Sequence, residues 1–339
     1  MIFSPQNDDI MIILKMNTLY DKMQKAIERN YTCIVKYQLD NTEDVRLDNG
    51  IKPRKCRFCG KTEIETSFDS VSHAIPHLIG NRFLKSLYEC DNCNKNVFSK
   101  YEEQFDAYMR FYHVFCRVSR NGKTINPYKC NSKSTARISA SEEWTDIYCC
   151  AGNDLSVMVN EKDKTITACG VRSYHPISVY KAVLKMALTI MPEFYIDDFK
   201  DTLKWLMTSS NMLSHLNMSI RMYKGLQDFN GVCMIYKRKN NHRDNVPHYL
   251  FGLSYNNLFI QIYIPLCKGD SSIKEPLQIP LIPCQMDADG ISFLHLMQDL
   301  SSDIKVSKEK ISLMFDYNDF TWFKDTQESS VPQGQESDI

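Results

Sequence analysis

The sequence predicts an α+β protein in which a small, cysteine-rich module precedes a larger α+β domain. Three observations lead to this prediction. The chain has 339 residues, which is more than one domain commonly holds. Four of its cysteines form two Cys-x-x-Cys pairs within residues 51–120. Segments with helical spacing and strand-like runs both follow beyond that module.

The composition is that of a folded globular protein. Hydrophobic residues make up 43% of the chain and charged residues 24%, which argues against wholesale disorder. The net charge is zero overall, but residues 51–130 carry 14 Lys and Arg against 8 Asp and Glu. This basic segment is a candidate for contact with phosphate groups, whereas the slightly acidic remainder of the chain is not.

The cysteine count and the N-terminus bear on the compartment. Thirteen cysteines, an odd number, argue against a framework of disulfides and indicate a reducing environment. The apolar run from Ile10 to Leu14 follows Asp8 and Asp9 rather than basic residues, so it does not resemble an export signal. No apolar stretch reaches the roughly 18 residues that a membrane-spanning helix needs. We therefore expect a cytoplasmic protein without a membrane partner.

Residues 1–50 are predicted to form a short αβ lead-in. Hydrophobic residues from Leu19 to Ile27 recur at helical spacing, and the β-branched run from Tyr31 to Tyr37 is typical of a strand. The polar stretch from Asn41 to Pro53 contains an Asn-Gly turn signal. It is the predicted boundary between the lead-in and the cysteine-rich module.

The module at residues 51–120 is expected to end in a helix from about Lys95 to Cys116. A turn-rich stretch from Asn121 to Ser134 is predicted to link it to the larger domain at residues 135–322. The closing segment, residues 323–339, has the polar composition of a disordered tail.

The larger domain is predicted to mix helices and strands. Pro176 and the apolar pattern behind it indicate a helix that starts after a proline. Asn256-Asn257 is typical of a two-residue hairpin turn. The predicted strands are Asp154–Val159, Thr165–Val171, Val232–Tyr236, Tyr249–Tyr255 and Leu258–Pro265, and a further helix is predicted at Phe199–Met207.

The two Cys-x-x-Cys pairs predict a zinc site. Cys56 and Cys59 form the first pair, and Cys90 and Cys93 follow after thirty residues. Each pair offers two thiolates to one tetrahedral ion, and the chain between the pairs closes the site. Four thiolates leave no open coordination position, so we expect this Zn²⁺ to be structural rather than catalytic. The alternative is four unrelated buried thiols.

The residues between and beyond the cysteine pairs resemble the HNH endonuclease family. In the zinc-bearing branch of that family, a His is followed by Ile or Val and Pro, then by a Gly and an Asn. Another Asn stands directly after the last cysteine, and a Phe and a Glu lie downstream. The resemblance covers about a fifth of this chain. The corresponding residues are His73, Ile75, Pro76, Gly80, Asn81, Asn94, Phe98 and Glu102.

The resemblance implies a zinc-stabilised ββα-metal fold, which is treble-clef-like, and endonuclease activity on DNA, with RNA not excluded. His73 would act as the general base on water. Asn94 would open the helix and ligate a catalytic Mg²⁺ or Mn²⁺ ion, which offsets charge on the scissile phosphate. Asn81 would hold the loop that keeps His73 aligned. Glu102, roughly 12 Å along the helix from Asn94, is expected to be a structural anchor.

One position departs from the family pattern. Many members have Asp, Glu or His just before the base, and this residue supplies a metal ligand. This chain has Ser72 at that position. Either the catalytic cation is held more loosely, with waters completing its shell, or another group compensates. The compensating candidates are His77, Asp69 and Asp91. His77 is accordingly a candidate ligand of the divalent cation or of a phosphate.

Basic residues cluster around the cysteine pairs, where nucleic acid would run. Such side chains neutralise phosphates and give affinity with little sequence information. An ordinary solvated basic face is the alternative. The residues expected to contact phosphates are Arg54, Arg57, Arg82 and Lys85.

Two other functions fit the same residues. A zinc-ordered module that binds nucleic acid without cutting it would account for Ser72, but it would need neither His73 nor Asn94. Alternatively, the cysteine-rich module is only structural, and the larger domain binds a ligand or a protein. If the chain is an HNH enzyme, the larger domain is expected to select the substrate, to receive an activator or to mediate self-association.

Overall fold

The computed structural model describes most of the chain between residues 19 and 314. The predicted tail at 323–339 and part of the predicted linker at 121–134 lie outside the described residues. The described ranges are 19–40, 43–48, 50–120, 124–129, 136–141, 144–148, 157–169, 172–209, 213–227, 231–240, 245–270, 277–307 and 310–314.

Helices and strands alternate without a regular repeat, so the fold is mixed α+β, as predicted. In the described part of the chain, the helices are α1 (19–30), α2 (Ser99–Phe115), α3 (Pro176–Ile190), α4 (Lys200–Leu206) and α5 (Gln285–Ala288). The strands are β1 (Tyr31–Gln38), β2 (Val45–Leu47), β3 (Ser72–His73), β4 (Leu84–Ser86), β5 (Ser119–Arg120), β6 (Thr124–Ile125), β7 (Arg137–Ala140), β8 (Thr145–Tyr148), β9 (Val157–Asn160), β10 (Thr165–Cys169), β11 (Asn217–Tyr223), β12 (Val232–Arg238), β13 (Tyr249–Tyr255), β14 (Leu258–Tyr263), β15 (Phe293–Asp299) and β16 (Lys310–Met314).

The largest sheet has six strands in the order β1-β12-β13-β14-β11-β15, and every neighbouring pair is antiparallel. All residues of the central strands β13 and β14 are buried, so both faces of the sheet are covered there. The predicted lead-in strand, β1, forms one edge of this sheet, with Tyr31 opposite Arg238. The lead-in therefore folds onto the C-terminal half of the chain.

The predicted hairpin turn at Asn256-Asn257 is confirmed. Tyr255 pairs with Leu258, which leaves two residues in the turn. Asn256 has a φ of 46°, the left-handed conformation that tight hairpin turns require and that Asn tolerates well. The Asn257 side chain donates hydrogen bonds to the carbonyls of Tyr223 and Gly225, at 2.9 and 3.0 Å.

Helix α3 connects the sheet to the cysteine-rich part of the chain. Pro176 lies in its first turn, as predicted, where the missing N–H leaves no hydrogen bond unmade. Nearly every residue of α3 is buried, and α2 packs along the helix. The Tyr180 hydroxyl donates to the carbonyl of Tyr263, at 2.6 Å, and joins the helix to β14.

A small sheet accompanies the cysteines. Its order is β2-β4-β3, with β3 antiparallel to β4 and β2 parallel to it. Shortly after β4, the chain becomes helical from residue 91 and stays so to the end of α2. A wider π-helical turn at Cys93–Phe98 precedes α2. The predicted helix from Lys95 thus exists but begins four residues earlier, inside the second cysteine pair.

Two further elements of the larger domain agree with the sequence. β9 and β10 overlap the predicted strands at 154–159 and 165–171, of which residues 154–156 and 170–171 lie outside the described residues. The two strands pair antiparallel, and β16 pairs with the free side of β10. α4 lies within the predicted Phe199–Met207 helix. Strands β11 and β15 were not predicted, because polar residues interrupt the pattern of β11 and β15 is half exposed.

A single hydrophobic cluster of buried residues extends from Ile27 to Leu313 and includes side chains from both halves of the chain. Within the described ranges, no helix is both long and apolar enough to cross a bilayer.

Candidate functional site

The four cysteines of the two Cys-x-x-Cys pairs come together in one cluster. The Sγ atoms of Cys56 and Cys93 are 3.8 Å apart, and those of Cys59 and Cys90 are 3.7 Å apart. All four sulfurs lie within 4.8 Å of one another. These separations are far longer than the roughly 2.05 Å of a disulfide. The cluster could therefore bind one metal ion through four sulfurs.

Local hydrogen bonds build each half of the cluster. The first pair lies on a tight turn, in which Gly60 donates to the Cys56 carbonyl at 2.9 Å with a φ of 74°. That left-handed conformation suits glycine. The second pair starts the long helix, since the Asn94 N–H donates to the Cys90 carbonyl at 3.0 Å. The Cys90 N–H points at the Cys56 sulfur, 3.5 Å away, and links the two halves.

Asp91 fastens the loop between the cysteine pairs to the start of the helix. Its carboxylate accepts the Ser67 hydroxyl at 2.5 Å and the N–H groups of Asp69 and Ser70 at 3.0 and 2.9 Å. The Ser70 hydroxyl also donates to it. The two serine hydroxyls hold the pKa of Asp91 well below its usual range. These bonds occupy the carboxylate, which leaves Asp91 a structural role rather than that of a compensating cation ligand.

His73 and His77 lie side by side at the edge of the small sheet. His73 ends β3 and pairs with Lys85 of β4. His77 opens a 3-10 turn after Pro76, and Gly80 ends that turn with a φ of 97°. The two imidazole ring centres are 3.6 Å apart. Both predicted histidines are therefore brought into one half-buried position.

Asn81 closes the loop that joins the two strands. Its side chain is completely buried. The amide nitrogen donates to the carbonyls of Ile75 and Leu84 at 2.6 and 3.0 Å. The amide oxygen accepts the N–H groups of Phe83 and Leu84 at 3.2 and 3.0 Å. The side chain thereby uses its full hydrogen-bonding capacity within the loop.

The surroundings of His73 favour its neutral form. Burial is the first cause and the positive potential from His77 the second, and together with nearby lysines they lower the pKa of His73 to about 4. A hydrogen bond with the Arg82 backbone acts in the opposite direction. At neutral pH the ring is therefore uncharged, and one of its nitrogens carries a free lone pair.

Asn94 lies in the π-helical turn, directly beside the cysteine cluster, and is half-buried. We expected Asn94 to open the helix, but the helix already begins at Asp91. Asn94 therefore does not act as a helix cap. Ser72, the residue before His73, is buried and its hydroxyl has no hydrogen-bond partner among the described residues.

Three of the four predicted phosphate contacts remain accessible to some degree. Arg82 is exposed. Arg54 pairs with Glu63 at 3.1 Å, and Lys85 pairs with Asp44, in ion pairs at the surface. Such surface pairs contribute little and can exchange for phosphate contacts.

Arg57 departs from the expectation. Its guanidinium donates to the carbonyls of Leu188, Thr189 and Met191, each at 2.9 Å, and pairs with Glu193 at 2.7 Å. The side chain is only 2% exposed. Arg57 binds the C-terminal end of α3, where carbonyls lack helical partners, so we do not count it among the phosphate contacts.

Comparison with protein-family models, with curated proteins and with solved structures found no match to this chain. What the chain does must therefore be inferred from its own residues and their geometry.

Lys185 of α3 also belongs to this site, although its sequence context gave little sign of it. Its ammonium group donates to the His73 carbonyl at 3.2 Å. It also lies 3.0 Å from the Glu89 carboxylate and 3.8 Å from that of Glu102. The Lys185 and Glu89 side chains are almost completely buried. The sequence feature that could have indicated a buried role for Lys185 is its position one turn after Lys181 in an otherwise apolar helix. Glu102 has the anchoring position expected for it.

Proposed function

We propose that this chain is a metal-dependent endonuclease of the HNH type, which hydrolyses phosphodiester bonds in DNA, with RNA not excluded. One observation carries the proposal. His73 stands on a short antiparallel strand pair whose connecting loop is closed by Asn81, and a helix bearing Asn94 follows beside a four-cysteine cluster. This order of strand, loop, strand and helix is what the resemblance to HNH endonucleases implies.

The proposed ion of the cysteine cluster is Zn²⁺. Zinc–sulfur bonds of about 2.3 Å in a tetrahedron put neighbouring sulfurs about 3.8 Å apart. The separations of 3.7 and 3.8 Å in the cluster match this value. With four thiolate ligands the ion would have no open position, so its role would be to fix the first turn to the helix.

His73 is the proposed general base. A neutral imidazole can take a proton from water as the water attacks the phosphate. The Asn81 hydrogen bonds hold the loop behind it, and Lys185 holds its carbonyl. These contacts restrict where the ring can lie. A base that is already in position reduces the entropic cost of reaching the transition state.

The residues proposed to hold a catalytic Mg²⁺ or Mn²⁺ are Asn94 and His77, and a bound ion would offset charge on the scissile phosphate. Both ligands are neutral, and Ser72 supplies no carboxylate where many HNH enzymes have an acidic residue. Hard divalent cations prefer oxygen ligands and retain waters. The donor set therefore fits a weakly held ion that is completed by water and by the phosphate of the substrate.

Cleavage of supercoiled plasmid in the presence of Mg²⁺ or Mn²⁺ tests the proposal. We expect the wild-type protein to nick or linearise the plasmid, and His73→Ala to lose at least a hundredfold in rate, the typical contribution of a general base. His295→Ala, which removes a histidine on β15 outside the site, should retain full activity. Equal cleavage by the wild type and His73→Ala would contradict the assignment of the base.

A binding module without catalysis is the second candidate, and the neutral residue at Ser72 is the observation that favours it. In that case neither the wild type nor His73→Ala would cut, while both would bind DNA. Binding would weaken in Arg82→Ala and become weaker with added salt, because phosphate contacts release counterions.

A further inference from the structure

His248, Cys267 and Asp270 form a second group of potential metal ligands, away from the four-cysteine cluster. A ring nitrogen of His248, the sulfur of Cys267 and a carboxylate oxygen of Asp270 all lie within 4.8 Å of one another. No metal-binding motif links these positions in the sequence. Antiparallel pairing brings them together, because His248 precedes β13 and the other two follow β14, and Leu250 pairs with Tyr263.

Hydrogen bonds hold the Asp270 carboxylate to the Cys267 side chain and to the backbone of His248. The Cys267 thiol donates to Asp270 Oδ2 at 3.2 Å. The backbone N–H of His248 donates to the other carboxylate oxygen, Oδ1, at 2.8 Å. Cys267 is buried and is only 4% exposed. In a tetrahedral zinc site a sulfur and an oxygen ligand lie about 3.5 Å apart, so this pair needs almost no movement to share an ion.

The loop that carries the ligands is shaped around the imidazole. A Cβ atom on Gly269 would overlap the His248 ring, so the ring rests directly on the loop backbone and no larger residue fits there. Arg238 reinforces the arrangement by donating to the carbonyls of Val246 and Gly269, at 2.8 and 2.7 Å. The segments before β13 and after β14 are thus held at a fixed separation.

We propose that His248, Cys267 and Asp270 form a second zinc site with three protein ligands and one open position. A thiolate, an imidazole and a carboxylate are the ligands that Zn²⁺ accepts in tetrahedral sites. On binding, the Cys267 thiol releases its proton to solvent, and its S–H···O contact with Asp270 is replaced by bonds from both atoms to the ion.

The neighbouring charge indicates what would fill the fourth position. The thiolate and the carboxylate together balance the two charges of Zn²⁺. Arg238 lies 3.9 Å from Asp270 Oδ1 and adds one positive charge. The fourth position should therefore take a water molecule or a small anion. This site differs from the four-cysteine cluster, whose ion would be fully coordinated by thiolates.

Zinc content of the purified full-length protein, measured by elemental analysis after dialysis, tests the proposal without any activity assay. We expect two zinc ions per chain in the wild type and one in both Cys267→Ser and His248→Gln. Cys284→Ser, which removes another thiol of the same half of the chain, should keep two. One zinc ion in the wild type, or two in both ligand variants, would overturn the second site.

Cobalt substitution gives an independent readout of the ligand set. The absorption spectra of the Co²⁺-substituted wild type and Cys267→Ser are subtracted from each other. The difference should show a charge-transfer band from a single thiolate and the visible bands of a tetrahedral Co²⁺ ion. Circular dichroism establishes that each variant is folded. Should Cys267→Ser fail to fold, Asp270→Asn keeps the shape of the side chain and should lose the same bands. A featureless difference spectrum in a folded variant would refute the assignment.

Discussion

Asp91 is a single residue on which the loop before the second cysteine pair depends. Its carboxylate accepts hydrogen bonds from Ser67, Asp69 and Ser70, and they keep its pKa below the usual range. A carboxyl whose pKa is lowered by folding adds stability above its unfolded pKa, about 3.9. That stability is lost as the pH falls through the folded value.

We predict that Asp91→Asn lowers the free energy of unfolding by about 1–3 kcal/mol at pH 7, because two partly buried N–H groups and two hydroxyls lose a charged acceptor. The difference from wild type should shrink as the pH falls from about 5 towards 3. Urea unfolding at both ends of this range measures it. Asp69→Asn, at an exposed side chain, is the control and should match the wild type. A deficit that does not depend on pH would contradict the electrostatic explanation.

Single residues also mark the limit of the sequence prediction. The cysteine spacing correctly predicted that four distant thiols meet, because each Cys-x-x-Cys pair is a local structure. Arg57 was misjudged, although it stands in the same motif, since its partners are the carbonyls of Leu188 to Met191. A basic residue next to a cysteine has the same appearance in sequence whether it faces solvent or the end of a helix.

Elements whose determinants are local were predicted well. Pro176 at the start of α3 and the Asn256-Asn257 turn each lie where the sequence indicated. Pairings between distant strands were not predicted. The position of β1 at the edge of the sheet depends on β12, with Tyr31 opposite Arg238. Nothing within the first 50 residues specifies that partner.

Lys185 joins three elements through buried charge. It extends from α3 to the Glu89 carboxylate, to Glu102 on α2 and to the His73 carbonyl on β3. Burial raises the pKa of Glu89, and Lys185 opposes that change. Removing only the cation leaves a buried carboxylate without compensation.

We predict that Lys185→Met lowers the free energy of unfolding by about 3–5 kcal/mol near pH 7. Without Lys185 the pKa of Glu89 rises further, and a group whose folded pKa is raised loses stability as the pH increases through that value. The defect should therefore be smaller at pH 5 than at pH 8. Chemical unfolding at both pH values measures the difference.

Two variants test this explanation. Adding Glu89→Gln to Lys185→Met should recover much of the lost stability, since neither partner is then charged. Lys181→Met removes the lysine one turn earlier, whose ammonium donates to the carbonyls of Trp205 and Thr208 and lies 4.7 Å from the centre of the Trp205 ring. Burial lowers the pKa of Lys181 to about 8, so its effect should change only slightly between pH 5 and pH 8. Equal pH dependence in the two lysine variants would argue against a buried Glu89 carboxylate as the cause.

At the scale of the whole molecule, two structures of different kinds share one core. The six-stranded sheet and α3 depend on extensive apolar burial, as in β13 and β14, where every residue is buried. The region around the cysteines has only short strands, β3 with two residues and β4 with three. Such a region cannot bury enough apolar surface by itself, so a bound ion would contribute much of its stability.

We predict that a chelator, by removing the ion proposed for the four-cysteine cluster, loosens residues 51–120 while the six-stranded sheet stays folded. Amide hydrogen exchange measures this directly, because protection reports the free energy of local opening. Exchange should become faster around the first cysteine turn and at the start of the long helix. The exchange rate should change little in β13 and β14, and little in the part of α2 that packs on α3.

The Cys267→Ser variant is the proper background for this experiment, because it removes a ligand of the proposed second zinc site and so confines the effect of the chelator to the four-cysteine cluster. Adding Zn²⁺ back should restore protection. If exchange instead became faster throughout the chain, the cysteine region and the sheet would form one cooperative unit, held together by Arg57 and Lys185 where they contact α3 and β3. The predicted division between residues 51–120 and 135–322 would then be wrong, since the stability of the sheet would itself depend on the ion bound by the cysteines.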